Sequence, residues 1–294
     1  MSAPALPGGE FRLMGVLNVT PDSFSDGGRY LDAGAAIEHG ARMLGEGADI
    51  LDVGGESTRP GAEPVGAEEE LARVGPVIEA LAAEHPGACI SIDTQKAAVA
   101  EQALRAGARL VNDVSAFRAD PAMAALVATS GAECCLMHMR GEPRTMQRDP
   151  RYGDVIDDVK AFLYERLQFA VREGVSEERV LLDPGIGFGK TLAHNLELLR
   201  RLGELLELGR PIVVGTSRKS FIGRLAADSR GLEEPLGPEA RLPGSLASAV
   251  LAYERGASVL RVHDVAPTRD ALTLAAATLG AGWTAPSTAT RQTS

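Results

Sequence analysis

Eight short apolar segments recur along the 294-residue chain, and each is followed by polar or glycine-rich residues and then by apolar residues at helical spacing. Strands connected through helices run parallel, because the crossover returns the chain to the same edge of the sheet. Eight such units predict an α/β fold, a single (β/α)8 TIM barrel with mobile loops at the C-terminal strand ends. An open doubly wound sheet is the alternative, but it usually has fewer strands. The strands are predicted over residues 11–19, 49–55, 88–94, 109–115, 133–139, 180–182, 211–217 and 258–262.

Helices are predicted where apolar residues recur every three or four positions, as at Leu192, Leu196 and Leu199. Pro76 predicts a kink in the second of them. No linker interrupts the pattern, so we predict one domain over residues 10–281, a flexible leader over 1–9 and a disordered tail over 282–294. The helices are predicted over residues 33–47, 67–83, 95–106, 121–130, 154–173, 192–207, 218–255 with a break near 231–243, and 267–279.

Charge and composition argue against several classes of protein. A net charge of −10 argues against general nucleic-acid binding and means that an anionic ligand would need a local basic site. No apolar run reaches the roughly 20 residues of a membrane helix, and the N-terminus lacks the basic start and apolar core of a signal peptide. Cys89, Cys134 and Cys135 form no Cys-x-x-Cys pair, so we expect reduced thiols in a cytoplasmic protein.

The stretch from Val180 to Thr191 is typical of a ligand site in an α/β fold. Asp183 follows a short apolar strand, and the glycines of Gly-Ile-Gly-Phe-Gly let the backbone approach a ligand closely before a helix begins. The run Gly-x-Gly-x-Gly-Lys-Thr lacks the four-residue gap of a phosphate-binding P-loop, so we expect none here. Asp183, which precedes a proline, could instead cap a turn.

Polar side chains at the C-terminal strand ends converge on one mouth of a TIM barrel. Carboxylates and an asparagine suit a heterocycle with several N–H donors and acceptors, whereas arginine, lysine and histidine suit an anion such as a phosphate. We therefore predict a mouth with an acidic floor and a basic rim. The strand ends supply Asn18, Thr58 with Arg59, Asp93, Asn112, His138, Asp183, Lys219, and Arg261 with His263.

Some of these positions also have structural interpretations. Asn112 and Asp113 could be loop formers, and His138, between two methionines, is predicted to be a packed core histidine rather than a ligand. Arg261 and His263 lie two apart on a strand and so face the same side. One inward-facing basic pair can be structural, but eight polar strand ends together favour a binding site.

Eight motifs follow one another in order over about residues 11–280. The two longest are Met14-Gly-Val-Leu-Asn-Val-Thr-Pro-Asp-Ser-Phe-Ser-Asp-Gly-Gly28 and Ile50-Leu-Asp-Val-Gly-Gly-Glu-Ser-Thr-Arg-Pro-Gly61. The others are Ser91-Ile-Asp-Thr94, Val111-Asn-Asp-Val-Ser115, Met137-His-Met-Arg-Gly141, Asp183-Pro-Gly-Ile-Gly-Phe-Gly-Lys190, Ser217-Arg-Lys-Ser-Phe221 and Arg261-Val-His-Asp-Val265. In sequence and order these motifs resemble those of the dihydropteroate synthase family.

The resemblance implies a TIM-barrel enzyme that joins 6-hydroxymethyl-7,8-dihydropterin pyrophosphate to 4-aminobenzoate, with 7,8-dihydropteroate and pyrophosphate as products. Mg²⁺ is the implied cofactor, bound by Asn18 and, as a second possible ligand, Asp26. The implied catalytic residues are Asp93, Lys219, Arg261 and His263. The pterin contacts implied by the motifs are Asp93, Asn112, Asp183 and Lys219, with Met137 and Phe188 as further substrate contacts. Arg261 and His263 would bind the pyrophosphate, and the aminobenzoate site would consist of Phe24, Thr58, Arg59, Pro60, Lys219 and Ser220.

The chemistry of this reaction agrees with an SN1-like path. Departure of pyrophosphate leaves a cation delocalised into the pterin ring, and a neutral aniline nitrogen can attack it without a strong base. The partners implied by the resemblance are these small molecules and a second copy of the chain in a homodimer, with no nucleic acid and no membrane. Two alternative functions remain: a methyltransferase acting on methyltetrahydrofolate, and a non-catalytic pterin-binding paralogue.

Overall fold

Strands and helices alternate along the part of the chain that the structure, a computed structural model, describes: residues 10–20, 33–57, 63–141 and 145–280. The strands are β1 (Arg12–Asn18), β2 (Ile50–Gly54), β3 (Cys89–Asp93), β4 (Leu110–Asp113), β5 (Glu133–Met137), β6 (Val180–Asp183), β7 (Val213–Val214) and β8 (Val259–Val262). The helices are α1 (Ala33–Gly45), α2 (Ala67–Glu84), α3 (Ala97–Arg105), α4 (Met123–Ser130), α5 (Val155–Arg172), α6 (Leu192–Arg200), α7 (Ser220–Asp228), α8 (Leu242–Glu254) and α9 (Val265–Thr278). The expected leader, 1–9, and tail, 282–294, lie outside the described residues.

The strands form one parallel sheet that almost closes on itself. Their order is β6-β5-β4-β3-β2-β1-β8-β7. A single parallel bridge between Leu182 and Ile212 joins the two end strands, and the Leu182 amide donates a hydrogen bond of 3.0 Å to the Pro211 carbonyl. The molecule is therefore a nearly closed (β/α)8 barrel, and the predicted fold class is confirmed.

Several elements differ in length from their sequence-based prediction. β7 contains only Val213 and Val214, because Pro211 has no N–H to donate and the chain leaves the ladder after Val214. α6 ends at Arg200, and a tighter 3-10 helix over Leu202–Leu208 replaces its expected last turns. α2 continues through Pro76, whose ring is exposed.

The barrel interior is apolar at its base and polar at its C-terminal mouth. Because side chains alternate along a strand, every second residue points inward. One layer of inward residues forms an apolar floor: Met14, Ile50, Leu110, Cys135, Leu181, Val213 and Val259. The next inward position along most strands carries a polar or charged residue, so the mouth lies directly above this floor.

A second, larger core fills the space between the strands and the surrounding helices. Leu51 and Leu182 are fully buried members of it on the outer face of the strands, and Leu81 is a fully buried member on α2. Thr191 fixes the start of α6, since its hydroxyl accepts from the His194 amide while His194 accepts from the Thr191 amide. None of the described helices is long and apolar enough to cross a membrane.

Candidate active site

The C-terminal strand ends place the predicted site residues together. Parallel pairing puts Asn18 beside Gly54, Gly54 beside Asp93, and Asp93 beside Asn112. Asp183 pairs with Met137 at the ends of β6 and β5. These side chains follow the apolar floor by two or four residues, so they share its inward direction.

Asp52 lies between the apolar floor and the residues at the strand ends, and it is the centre of a network of hydrogen bonds. It was not among the site residues predicted from the sequence. It is completely buried and accepts from Ser91 Oγ at 2.6 Å, Asn112 Nδ2 at 2.9 Å and Arg261 Nε at 2.6 Å. Asp52 lies in the middle of β2, so it is not among the polar residues at the strand ends. Its position two residues after Ile50, in an otherwise apolar strand, is the signal that indicates an inward carboxylate.

Arg261 lies between two carboxylates rather than on a separate basic rim. Its Nε donates to Asp52, and its Nη2 donates to Asp93 at 2.7 Å. Burial raises the pKa of Asp93 to about 7, and the Arg261 charge opposes that rise. The sequence analysis predicted that the acidic and basic residues of the mouth lie apart. For Arg261 this prediction is wrong, because its guanidinium is paired with the carboxylates of Asp52 and Asp93.

Asp183 both caps a turn and faces the mouth, so its two sequence-based interpretations are compatible. Its Oδ1 accepts from the Gly185 amide at 2.6 Å, and 6% of the residue's surface is exposed. Burial raises the pKa of Asp183, and the nearby Lys219 charge opposes the rise. One hydrogen bond leaves acceptor positions on this carboxylate for a ligand.

Lys219 lies at the start of α7, opposite the loop after β6. Its Nζ donates to the Ile186 carbonyl and lies 4.8 Å from the centre of the Phe188 ring. Burial lowers the pKa of Lys219 to about 8, and Asp183 opposes that effect. Ser220, the first residue of α7, is exposed.

His263 follows the last residue of β8 and contacts Ser217, in the loop after β7. Its Nδ1 lies 3.1 Å from Ser217 Oγ, which also accepts from the His263 amide at 3.2 Å. Arg218 has a φ of 57°, and its guanidinium donates to Asp264 at 2.9 and 2.6 Å. These two links hold the start of α7 against the end of β8.

Two further sequence-based interpretations have clear outcomes. His138 is 5% exposed and bonded to Lys190, so the prediction of a packed core histidine is confirmed. Lys190 is 3% exposed and its Nζ donates to the Gly185 and Phe188 carbonyls, so the side chain is directed into the loop itself. Met137 and Phe188 belong to an apolar patch that contains Val114, Met137, Met139, Met146 and the partly buried Phe188.

A partly buried cluster of charged residues supports the start of the loop after β2. Lys96 Nζ donates to Glu56 Oε2 and to Glu70 Oε2, each at 2.6 Å. Glu56 Oε1 in turn accepts from the Val65 amide at 3.1 Å, on the far side of the loop. The predicted site residues of the first two loops lie outside the described residues: Phe24, Asp26, Thr58, Arg59 and Pro60.

Asn18 is the described residue that fits an Mg²⁺ ion. The described part of the chain holds no group of three or more His, Cys, Asp or Glu side chains that could hold a metal. Mg²⁺ commonly takes only one or two protein oxygens and completes its shell with water and substrate phosphates. Asn18 lies at the end of β1 and pairs with Gly54, which in turn pairs with Asp93. Its amide oxygen suits that mode of binding.

Known proteins resemble the chain over nearly all of its length. The family described as pterin binding enzyme matches residues 14–263. The dihydropteroate synthase of Escherichia coli (strain K12) is 46% identical over 269 residues, which are 92% of this chain and 92% of that protein.

Solved structures agree with the sequence comparison. Xanthomonas albilineans dihydropteroate synthase with 4-aminobenzoic acid is 47% identical and superposes with a TM-score of 0.85, over 95% of this chain and 99% of that chain. The enzyme from the same organism in complex with 7,8-dihydropteroate is 46% identical, with a TM-score of 0.81 over 93% and 95%. On this sequence and structural evidence, the chain belongs to the dihydropteroate synthase family of pterin-binding enzymes.

Proposed function

We propose that the chain is the transferase that joins 6-hydroxymethyl-7,8-dihydropterin pyrophosphate to 4-aminobenzoate, giving 7,8-dihydropteroate and pyrophosphate. The observation that carries the proposal is the convergence of Asp93, Asn112, Asp183 and Lys219 on one mouth above the apolar floor. The solved relatives that contain 4-aminobenzoic acid and 7,8-dihydropteroate support this choice of substrate and product.

The pterin would lie against the acidic part of the mouth. Its aminopyrimidine edge presents N–H donors, and the Asp183 carboxylate can accept two of them beside its bond to Gly185. Asn112 donates its amide N–H to Asp52, so its oxygen is directed to serve as an acceptor for the ligand. The apolar patch around Met137 and Phe188 gives the flat ring an apolar surface.

The pyrophosphate would lie near Arg261, His263 and Asn18. Arg261 uses Nε and Nη2 for its two carboxylates, so Nη1 is the nitrogen available for an anion. When bound, Mg²⁺ would supply positive charge to the leaving group, with Asn18 as its protein ligand and Asp26 as a second one. His263, held by Ser217, would donate a further hydrogen bond to the leaving oxygen.

The reaction would begin with cleavage of the bond between the pterin CH₂ carbon and the pyrophosphate oxygen. The electron pair leaves with pyrophosphate, and the cation on the pterin is stabilised by Asp93 and Asp183. The neutral amine of aminobenzoate then forms the new C–N bond and loses its proton. Phe24, Thr58, Arg59, Pro60 and Ser220 would shape the aminobenzoate site.

Two experiments test this proposal. Labelled 4-aminobenzoate should enter 7,8-dihydropteroate only when the pterin pyrophosphate and Mg²⁺ are present. A series of ring-substituted anilines at saturating concentration tests the order of bond changes, since early C–O cleavage predicts a weak dependence on amine basicity. A chemical-step rate that rises steeply with basicity would contradict the SN1-like path.

We also propose that one catalytic domain spans residues 10–281 and that two copies form a homodimer. Exposed leucines on the helices near β7 and β8 support the dimer, since Leu225, Leu251 and Leu274 are 46%, 41% and 71% exposed. A cytoplasmic location is supported by the three cysteines, all of which are free thiols.

A further inference from the structure

Lys190 has an environment that is unusual for a lysine. Only 3% of the residue is exposed, and its Nζ lies among neutral acceptors. It is 2.8 Å from the Gly185 carbonyl, 3.0 Å from the Phe188 carbonyl, and 2.9 and 3.4 Å from Nδ1 and the carbonyl oxygen of His138. No carboxylate in the described part of the chain is among these contacts. Burial therefore lowers the pKa of Lys190 well below its ordinary value, and the Asp183 charge opposes that effect without a direct hydrogen bond.

His138 is suited to accept from this group. Burial, together with the Lys190 charge, lowers the pKa of His138 to about 2, so the ring is neutral. A neutral imidazole has one acceptor nitrogen, and the contact with Lys190 assigns that role to Nδ1. Phe162 packs edge-on against the ring with a centroid distance of 4.8 Å, which keeps its plane in place.

The contacts of Lys190 fold the loop after β6 onto the end of β5. Gly185 has a φ of 66°, and a Cβ atom there would lie 1.8 Å from the His138 carbonyl oxygen. Lys190 bonds both ends of the segment from Gly185 to Phe188. Between them lies the Ile186 carbonyl, which accepts from Lys219, and Phe188 itself lies beneath the Lys219 ammonium.

We propose that Lys190, held by neutral His138, is a positioning residue for the pterin site: it fixes the Gly185–Phe188 turn and thereby Asp183 and Lys219. The inference rests on the proposed function. Burial of an ammonium group without a hydrogen-bonded carboxylate opposes folding, whereas the hydrogen bonds of Lys190 to Gly185, Phe188 and His138 favour it, so these two contributions to the stability of the barrel largely offset each other. Lys190 therefore determines the conformation of the loop more than it contributes to the stability of the barrel.

Lys190→Met tests this role, with Lys160→Met as the matched control. Lys160 lies on α5 and pairs with Glu207, away from the mouth. We expect Lys190→Met to melt within a few degrees of the wild type, because the loss of its hydrogen bonds is offset by removal of a buried charge. Its KM for the pterin pyrophosphate should rise about tenfold or more, which corresponds to about 1.4 kcal/mol, while its KM for aminobenzoate stays within about twofold. The control should change neither KM.

A second pair of variants tests the histidine. His138→Asn keeps an acceptor oxygen near the position of Nδ1 and should retain most of the pterin affinity, whereas His138→Leu should lose it. Hydrogen exchange of the backbone amides at 185–190 should rise in Lys190→Met without any ligand, a readout that stands even if the wild type proves inactive. Unchanged exchange, or a lower melting temperature with both KM values unchanged, would overturn the proposal.

Discussion

Asp52 and Asp183 are both buried carboxylates at the mouth, but they differ in their remaining acceptor capacity. Asp52 already receives three hydrogen bonds from protein donors, of the roughly four that a carboxylate accepts. Asp183 receives one, from its own turn. Asp52 is therefore suited to orient Asn112 and Arg261, and Asp183 is suited to bind a ligand.

Asp183→Asn should weaken pterin binding by about 1.5–3 kcal/mol, because an amide presents a donor where the ligand also presents donors. Asp113→Asn is the matched control, since Asp113 is another buried carboxylate at a strand end but accepts from the Ser115 and Phe117 amides. That control should lower the melting temperature without changing pterin affinity. Calorimetry that finds normal pterin affinity in Asp183→Asn would refute its assignment as a ligand.

Lys96→Met should destabilise the fold by about 3 kcal/mol, because it leaves the wholly buried Glu70 charge without its partner. Lys160→Met removes an ion pair to Glu207, which is 69% exposed, and should cost about 1 kcal/mol or less. Urea denaturation of both variants measures the difference. Equal losses of stability would show that the pairing of Lys96 with buried Glu70 contributes no more than an exposed ion pair.

At the scale of elements, the loop from Asp183 to Lys190 shows how backbone conformation determines the site. Gly185, Gly187 and Gly189 all have positive φ values, of 66°, 87° and 61°. A Cβ atom would lie 1.8 Å from the His138 carbonyl oxygen at Gly185 and 2.5 Å from the Arg140 carbonyl oxygen at Gly189, whereas at Gly187 it would lie 3.0 Å from the Lys219 side chain. At Gly185 and Gly189, therefore, any other residue would overlap a carbonyl group unless the loop moved.

Gly185→Ala should cost about 3 kcal/mol or more and impair pterin binding, because its Cβ would overlap the His138 carbonyl. Gly209→Ala is a control with nearly the same backbone angle, a φ of 68°, and no atom within 4 Å of the added Cβ. It should lose only about 1 kcal/mol, from the strained φ alone. Thermal melting compares the two variants, and similar losses would mean that the steric contact is relieved by movement of the loop.

Much of this arrangement could be predicted from local sequence. Apolar runs located all eight strands, and the residues after them located Asp93, Asn112 and Asp183. The pairing of Arg261 with Asp52 and Asp93 could not be predicted, because 209 and 168 residues separate the partners and only barrel closure brings them together. The length of β7 was also predicted wrongly: a strand was expected over residues 211–217, but only Val213 and Val214 form it.

At the scale of the whole molecule, the barrel has one weak seam. β6 and β7 share a single bridge, whereas β1 pairs with β2 over five residues. The seam lies between β6, which ends at Asp183, and β7, which leads to Lys219. Small movements at this point would change the distance between these two parts of the mouth.

Native-state hydrogen exchange should therefore be faster at the seam. The Leu182 amide, which donates across it, should open at a lower free energy than the amides of the β1–β2 ladder. A pterin ligand should slow the exchange at the seam more than elsewhere. If all strands exchange with the same free energy in the ligand-free protein, the barrel opens as one unit and the seam has no separate motion.

The most direct test of the central claim is to quantify pyrophosphate and 7,8-dihydropteroate in the same reaction with purified protein, Mg²⁺ and both substrates. The account predicts equal amounts of the two products and no dihydropteroate when either substrate is omitted. Pterin binding without release of pyrophosphate would contradict it and favour a non-catalytic pterin-binding protein. Methyl transfer from methyltetrahydrofolate in place of condensation would contradict it equally.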